Sequence, residues 1–258
     1  MGNQMEAVQS FTGGGFPSAS GRFESEPPLS YNSGRFPEHH AKEILQTYGL
    51  DVPRFMWVEN PEQAIRFANR IGYPVVAKVV SPDVYCKTDR GGIETWVADD
   101  RELRNACHRF TQVKRFNGIL VEEKLGQGLE LNVGAAKVDF QCGPAVFLEK
   151  AGANAGDAGN RTFRMPSTGG WNVSAMLREL GVLPYHRKSK TIDGVNLIEL
   201  ERVLAKLGDL VTDTHAGMEA IILDPVRCVD NRCVVLDARI KFNWDWKSSN
   251  IARTVCRQ

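Results

Sequence analysis

Apolar residues from position 38 onward recur at spacings that change along the chain, and each change predicts a new element. The first helical period places four residues on one face: Ala41, Ile44, Leu45 and Tyr48. Gly49 follows as a helix C-cap, and residues 54–58 have the pattern of a short strand. Asn60 then precedes Pro61 as an N-cap precedes the first turn of a second helix, which Gly72 ends.

A continuous apolar run from Pro74 to Val80 predicts a strand that is covered on both faces. A helix over residues 100–110 and a strand over 118–125 follow from the same kind of pattern. Because helices alternate with strands, this half of the chain is predicted to form a layered α/β unit.

The second half of the chain begins with strands and ends on a predicted hairpin. Its predicted elements are strands near 129–137 and 144–148, helices near 171–180 and 197–214, and hairpin strands over 219–228 and 232–240. Residues 1–36 are rich in Gly, Ser and Pro, with isolated aromatic residues. They are predicted to be either a flexible tail or an arm that docks its aromatic side chains on a partner subunit.

Composition excludes several classes of function without naming one. The formal net charge of +1 gives no electrostatic case for binding nucleic acid or an anionic membrane. No apolar run approaches the roughly 20 residues that span a bilayer, so we expect a cytoplasmic protein. The six cysteines form no CxxC pair, which favours reduced thiols, although Cys228 and Cys233 are predicted to face each other across the hairpin turn.

Lys78 lies in the middle of the apolar strand, where a charged ammonium is costly unless it is paired. It either extends to solvent from a strand end or edge, or points into a phosphate site. The loop over 81–92 offers a hydroxyl, two cations and the pair Gly91-Gly92. Such a loop is either a solvated turn or a cover for phosphate oxygens.

Two further groups of acidic residues stand at strand positions. Glu122 and Glu123 end one strand, and Glu130 begins the next. These residues are either solvated charges or part of a hinge that holds the adenine and ribose of a nucleotide. Asp224 and Asp237 interrupt the two hairpin strands and are predicted to be cross-strand neighbours. They would bind Mg²⁺ or Mn²⁺, or be neutralised by Arg239 or Arg227.

Taken together, short motifs in a constant order resemble the ATP-grasp subunit (the β type) of ADP-forming acyl-CoA synthetases, which is related to the succinyl-CoA synthetase β subunit. The matching runs lie between Pro37 and Phe242 and are AKEILQTYG at 41–49, GYPVVAK at 72–78, SPD at 81–83, KTD at 87–89 with Gly91-Gly92, GLELNVG at 128–134, Phe163-Arg164 and DARI at 237–240. The resemblance implies an α/β (α+β) fold of the ATP-grasp type, in which two α/β subdomains clasp a nucleotide. The subdomains would cover 37–125 and 126–245, between the arm at 1–36 and a tail at 246–258.

The resemblance also implies a role for each motif. It assigns Lys78, Lys87 and Arg164 to catalysis. Its nucleotide-binding set is Lys78, Lys87, Gly91, Gly92, Glu122, Glu123, Leu125 and Glu130. Asp224 and Asp237 would hold Mg²⁺ (or Mn²⁺) beside ATP or ADP.

Departures from the family pattern bear on the reaction. Cys86 stands where relatives commonly carry a histidine that is thought to receive phosphate, and residues 149–160 replace a Gly-Leu-Gly-Gly stretch. The chain shows no Rossmann fingerprint for CoA. We therefore expect a separate CoA-binding α-type subunit in a hetero-oligomer that joins a carboxylic acid to CoA. A degenerate scaffolding or nucleotide-binding subunit and a stand-alone carboxylate–amine ligase are the alternatives.

Overall fold

The structure is a computed structural model, and its described residues begin at Pro37. They are 37–84, 91–139, 143–151, 160–165, 171–182, 191–192, 195–214 and 218–242. The predicted arm at 1–36 and the tail at 246–258 lie outside them, as do Cys86 and Lys87.

Five helices and twelve strands occupy the described residues. The helices are α1 (Glu38–Thr47), α2 (Pro61–Ile71), α3 (Asp100–Phe110), α4 (Val173–Glu179) and α5 (Leu197–Thr214). The strands are β1 (Phe55–Val58), β2 (Val75–Val79), β3 (Ile93–Val97), β4 (Ile119–Glu123), β5 (Leu129–Asp139), β6 (Gly143–Lys150), β7 (Arg161–Arg164), β8 (Thr191–Ile192), β9 (Val195–Asn196), β10 (Met218–Val229), β11 (Arg232–Val235) and β12 (Ala238–Phe242).

The smaller of the two main sheets has four antiparallel strands in the order β1-β4-β2-β3. One of its faces packs against α2 and α3, and the apolar side chains between them are fully or almost fully buried. The caps of these helices follow from their sequences. The Asn60 side chain accepts a hydrogen bond from the Gln63 N–H at 3.0 Å, and Asp99 accepts one from Glu102 at 2.8 Å.

The larger sheet runs β11-β10-β5-β6-β7, with β12 also paired to β10. Leucine side chains of α5, such as Leu200, Leu204 and Leu207, are fully buried in the core shared with this sheet. Because β5 contributes Leu131 and Val133 to that core, strand alternation leaves its intervening residues on the opposite, open face.

Helix α1 belongs to both parts of the molecule. Its residues Ala41, Ile44 and Leu45 lie in the core of the larger sheet, although α1 precedes the smaller sheet in sequence. His39, on its first turn, stacks on Trp57 of β1 with ring centroids 5.6 Å apart. The division at residues 125 and 126 remains a prediction, and α1 is the element that crosses it.

The mixed α/β architecture with two sheets confirms the predicted fold class, and the helices predicted at 100–110 and 197–214 are confirmed as α3 and α5. Strands β3, β7, β8 and β9 were not predicted. β3 is a short edge strand whose Trp96 is exposed, and the other three are at most four residues long. The second hairpin strand is divided into β11 and β12 because β10 changes pairing partner between Leu223 and Val226. Among the described helices, none combines the length and hydropathy that a membrane crossing requires.

Candidate functional site

The candidate site begins on the face of the smaller sheet that α2 and α3 leave open. Val75, Ala77 and Val79 of β2 point toward those helices, so the alternating residue Lys78 points to the other face. Glu122 of β4 lies directly opposite Val76 in the register and shares that face. The side chains of Lys78 and Glu122 are only 5% and 3% exposed, so neither is a solvated strand-end charge.

Lys78 contacts three oxygens from three different elements. Its Nζ lies 2.5 Å from Glu38 Oε1 of α1, 3.0 Å from Glu122 Oε2 of β4, and 2.8 Å from the Leu236 carbonyl oxygen between β11 and β12. Burial alone would lower the pKa of this ammonium, but the carboxylates of Glu122, Glu38 and Asp237 raise that pKa above its usual value. Lys78 is therefore charged, and these contacts hold its ammonium group between the two sheets.

A second buried lysine completes the arrangement. Lys42, one turn after Glu38 on α1, is fully buried and lies 2.9 Å from Glu38 Oε1. Lys42 also donates a hydrogen bond to Glu122 Oε1. Glu38, Lys42, Lys78 and Glu122 form what we call the four-charge cluster, whose formal charge is zero. Such a buried set is stable only when every member keeps its partners.

Asp224 and Asp237 lie opposite each other on the hairpin, as predicted. The Asp224 N–H donates to the Asp237 carbonyl oxygen at 3.0 Å. Arg239 Nη2 lies 3.4 Å from Asp224 Oδ2 and 3.8 Å from Asp237 Oδ2. The Asp224 and Asp237 side chains are 35% and 22% exposed, so this pair is partly solvated, and Arg239 is the cation beside it.

The lysine and the aspartates converge at one place. Leu236, whose carbonyl accepts from Lys78, is the residue immediately before Asp237. Because Leu223 points into the core of the larger sheet, the adjacent Asp224 points to its open face. The site therefore lies between the open faces of the two sheets, with the first turn of α1 beside it.

Other polar residues of the larger sheet line the same open face. Glu130 of β5 pairs with Arg227 of β10, directly opposite in the register. The next pair along is Asn132 with Glu149, and Glu149 in turn pairs with Arg161 at 2.5 Å. Arg227 therefore contacts Glu130 and also donates to the carbonyl oxygens of Leu125 and Gly126 at 3.3 and 3.2 Å. The cation that contacts the two aspartates is Arg239.

Three further predicted nucleotide-binding residues lie on or beside the strands of the smaller sheet: Glu123, Gly91 and Gly92. Glu123 pairs with Arg54, and the Arg54 Nε lies 2.5 Å from Glu123 Oε2. Gly91 has a φ of 62°, which favours glycine, and the carbonyl of Gly92 accepts from the Val79 N–H at 2.9 Å. Lys87, between those glycines and Ser81, lies outside the described residues.

Arg164 is the predicted catalytic residue that the structure does not bring to this face. It lies opposite Val146, a core residue, and so points toward the helical side of the larger sheet. Its Nη2 is 2.7 Å from Glu179 Oε1 of α4. The Arg161 side chain, three residues earlier, is instead on the open face with Glu149.

Sequence reasoning missed two members of the four-charge cluster. Glu38 and Lys42 are separated by four positions on a helix, a spacing that is typical of solvent-exposed ion pairs. The available signal was that both lie next to the apolar stripe of α1, at Ala41 and Leu45, rather than opposite it.

Among the described residues, no three His, Cys, Asp or Glu side chains are grouped so as to hold a metal ion by themselves. The Asp224–Asp237 pair offers two carboxylates, which are hard oxygen ligands. Mg²⁺ is usually bound through one or two carboxylates together with substrate phosphates and water. The pair therefore fits a Mg²⁺ ion that binds together with a nucleotide and displaces Arg239 from the two carboxylates.

Comparison with known proteins identifies the family of this chain. The ATP-grasp domain family matches residues 29–242. The chain is 31% identical over 210 residues to the β subunit of acetate–CoA ligase (ADP-forming) I of Pyrococcus furiosus, a match that covers 79% of this chain and 90% of that subunit. It is 26% identical to the β subunit of isoenzyme II from the same organism, over 79% of this chain and 89% of that one.

A solved structure agrees with these relatives. An acetyl-coenzyme A synthetase from Ca. Korarchaeum cryptofilum, in complex with coenzyme A, Ca-AMPCP and HgCl⁺, superposes with a TM-score of 0.71 at 27% identity. That match covers 81% of this chain and 94% of the other. The similarity also extends to the 4-hydroxybutyrate–CoA ligase (ADP-forming) of Nitrosopumilus maritimus, at 27% identity, of which this chain spans only 30%. The resemblance drawn from the motifs is confirmed.

Proposed function

The chain belongs to the ATP-grasp family, and we propose that it is the ATP-binding subunit of an ADP-forming acyl-CoA synthetase. The overall reaction would convert a carboxylic acid, ATP and CoA into an acyl-CoA, ADP and phosphate. Two relatives that this chain nearly spans are named as β subunits of ADP-forming acetate–CoA ligases, which supports the assignment.

The observation that carries the proposal is the convergence of Lys78 with the aspartate pair. One ammonium from the smaller sheet and two carboxylates from the larger one meet between the open faces. This combination favours phosphoryl transfer, because positive groups neutralise phosphate oxygens while carboxylates hold the accompanying divalent ion. We propose that nucleotide phosphates lie at this point.

The chain's own residues would divide the work as follows. Lys78 would neutralise phosphate charge, and the loop from Lys87 to Gly92 would cover the phosphates. Glu123 and Leu125 would line the adenine, and Glu130 would lie near the ribose. Asp224 and Asp237 would hold Mg²⁺, which would supply positive charge for phosphoryl transfer.

Glu122 has a more specific role in this proposal than the sequence indicated. Its two carboxylate oxygens contact Lys42 and Lys78 separately, so it orients both ammonium groups. We propose that Glu122 positions Lys78 for phosphate from beneath the site. Its place among the nucleotide-binding residues would then be indirect.

CoA and the acid would be bound by a separate α-type subunit in a hetero-oligomer. Support comes from the names of the two P. furiosus relatives, each a β subunit that this chain covers by about nine tenths. Phosphate would pass either to the acid directly or through a histidine of that partner.

A scaffolding subunit is the second candidate, and one observation favours it. Lys78 and the aspartate pair already have counter-charges within the protein, Lys78 in the four-charge cluster and the aspartates in Arg239. A subunit that only braces its partner would keep those pairs permanently. Nucleotide binding therefore separates the two candidates.

Calorimetric titration of the full chain with Mg-ADP is the first test. Saturable binding that is lost when EDTA removes the metal supports the proposal, whereas absent binding favours the scaffold. The second step is co-purification with its native companion chain and measurement of phosphate release. Release that needs both a carboxylic acid and CoA supports the synthetase; release with an amine in place of CoA would identify a carboxylate–amine ligase.

A further inference from the structure

Two cysteines meet near the turn of the β10–β11 hairpin, as the sequence predicted. Cys228 of β10 lies directly opposite Cys233 of β11 in the antiparallel register, and their Sγ atoms are 2.9 Å apart. Both are free thiols, and both are buried in the core of the larger sheet. The function proposed above uses neither thiol.

The hairpin turn fixes this arrangement. Asp230 and Asn231 have φ angles of 49° and 61°, the left-handed values that a two-residue hairpin turn requires. Val229 and Arg232 form the pair that flanks the turn, and the two cysteines form the next pair. Opposed residues of an antiparallel ladder have Cα atoms about 4.5 or 5.5 Å apart, and a disulfide spans Cα separations of about 4.4–6.8 Å. The backbone therefore accepts a bond between the two sulfurs as it stands.

The gap between the two sulfurs is also small. A disulfide bond is about 2.05 Å long, so the two Sγ atoms, now 2.9 Å apart, need to approach by less than about 1 Å. Small rotations about the two Cα–Cβ bonds are enough for such a movement. The folded chain thus holds the two thiols ready to be joined.

We propose that Cys228 and Cys233 form an oxidation site, at which a hydroperoxide converts the two thiols into an intramolecular disulfide. One sulfur first takes an OH group from hydrogen peroxide and becomes a sulfenic acid, while its thiol proton leaves in a molecule of water. The second sulfur then attacks the first, and the OH group leaves as water together with the second thiol proton. Two thiols and one hydrogen peroxide thus become one disulfide and two waters.

Burial governs the rate of this reaction. The hydrogen bond with Cys228 and burial raise the pKa of the Cys233 thiol above its ordinary value, and the thiolate is the nucleophilic form, so the first oxidation is slow. Hydrogen peroxide gains access by local opening at the hairpin end, where Asp230, Asn231 and Arg232 are exposed and β11 is an edge strand. After that step the second sulfur is already in contact, so the disulfide closes before further oxidation.

The disulfide would brace the hairpin that carries the two aspartates. From the cysteine pair, the ladder between the two strands runs on to the Asp224 N–H, which donates to the Asp237 carbonyl oxygen. A cross-link that closes so short a loop restricts the unfolded chain modestly, and we expect the thermal midpoint to rise by roughly 5 °C. Because the two thiols are already opposed, the folded arrangement of the aspartates should stay the same.

The test is peptide mapping of the full chain after exposure to hydrogen peroxide. The remaining thiols are alkylated in denaturant without reductant, and the chain is digested with trypsin. Trypsin cleaves after Arg227, Arg232 and Arg239, so it separates the two cysteines into the peptides CVDNR and CVVLDAR. We expect these two peptides joined in one species, two hydrogens lighter than their sum, together with the higher thermal midpoint. Dithiothreitol should reverse both changes.

Two controls are matched to this pair. Cys233→Ala removes one sulfur, so the joined peptides and the rise in thermal midpoint should both be lost. Cys107 is also buried, and burial raises the pKa of its thiol to about 11. It lies in the core of the smaller sheet, which contains no other cysteine of the described residues. Cys107 should therefore remain open to alkylation after the same exposure.

Joined peptides together with a higher midpoint support the inference. Recovery of both cysteines as alkylated thiols, or of either one as a sulfinic acid, would overturn it. Joined peptides without a higher midpoint would overturn it as well, since the native geometry would then not accommodate the bond. If Cys233→Ala does not fold, the mapping of the unaltered chain decides. None of these results depends on nucleotide binding, so the proposed function stands or falls separately.

Discussion

The two open faces that meet at the site carry similar charges in very different surroundings. On the smaller sheet, Lys78 and Glu122 have side chains at most 5% exposed, and each is paired. On the larger sheet, the side chains of Asp224, Asp237 and Arg239 are 22–35% exposed, and the Arg239 guanidinium lies 3.4 and 3.8 Å from the two carboxylates. One face is fixed by burial, whereas the other can exchange its counter-ion.

This difference assigns separate tasks to the two faces. Breaking a buried ion pair leaves an uncompensated charge, so the four-charge cluster must contribute strongly to stability as well as to binding. A partly solvated pair contributes little to stability, because water compensates for the loss of either partner. The aspartates can therefore release Arg239 for a divalent ion at small cost, while a change of partner at Lys78 disturbs the whole cluster.

Lys78→Met should have the largest effect. It leaves Glu38 and Glu122 buried with one cation fewer, and we expect the free energy of unfolding to fall by about 3–5 kcal/mol. Urea denaturation measures this change, with Lys114→Met on an exposed lysine as the control. A loss equal to that of the control would show that the cluster is not the stabilising feature described here.

Adding Glu38→Gln to Lys78→Met should restore part of that stability. The double variant removes one charge of each sign, so the remaining Lys42 and Glu122 are balanced. We expect a coupling energy of about 1–3 kcal/mol in a double-mutant cycle of unfolding free energies. Strictly additive effects would mean that the two side chains do not interact.

Glu43→Gln should raise the free energy of unfolding by an amount that depends on pH. Burial raises the pKa of Glu43 from its ordinary 4.5 to about 7, so the folded state favours the protonated carboxyl. That preference is fully present below pH 4.5 and is lost as the pH rises through 7. At pH 8 the free energy of unfolding of the variant should therefore exceed that of the unaltered chain by about 1 kcal/mol, allowing for partial exposure of the side chain. The difference should shrink as the pH falls toward 4.5. A gap that does not change with pH would exclude this titration.

Asp237→Asn should have the smallest effect on stability and a large effect on metal-dependent binding. We expect the free energy of unfolding to change by less than about 1 kcal/mol, as for Asp209→Asn on the surface of α5. The affinity for ADP should lose its dependence on Mg²⁺, measured by titration with and without the metal. Retained magnesium dependence would remove Asp237 from the metal site.

Local signals in the sequence predicted most of the elements. The cap at Asn60 and the apolar periods of α3 and α5 act within one or two turns of chain, and the structure confirms all three. The opposition of Asp224 and Asp237 could also be predicted, because a single turn fixes the register of a hairpin.

The four-charge cluster could not be predicted in the same way. Glu38 and Lys78 are 40 positions apart, and Lys42 and Glu122 are 80 apart. Nothing local distinguishes the Glu38–Lys42 pair from an exposed helical ion pair until α1 is packed between the sheets. The face on which Arg164 lies could not be predicted either, since a one-residue difference in a strand decides which face a side chain occupies.

The most direct test of the central claim is a crystal structure of the full chain with Mg-ADP bound. We expect phosphate oxygens within hydrogen-bond distance of Lys78 Nζ and the metal between Asp224 and Asp237. A nucleotide bound elsewhere, with the aspartates still beside Arg239, would contradict that claim.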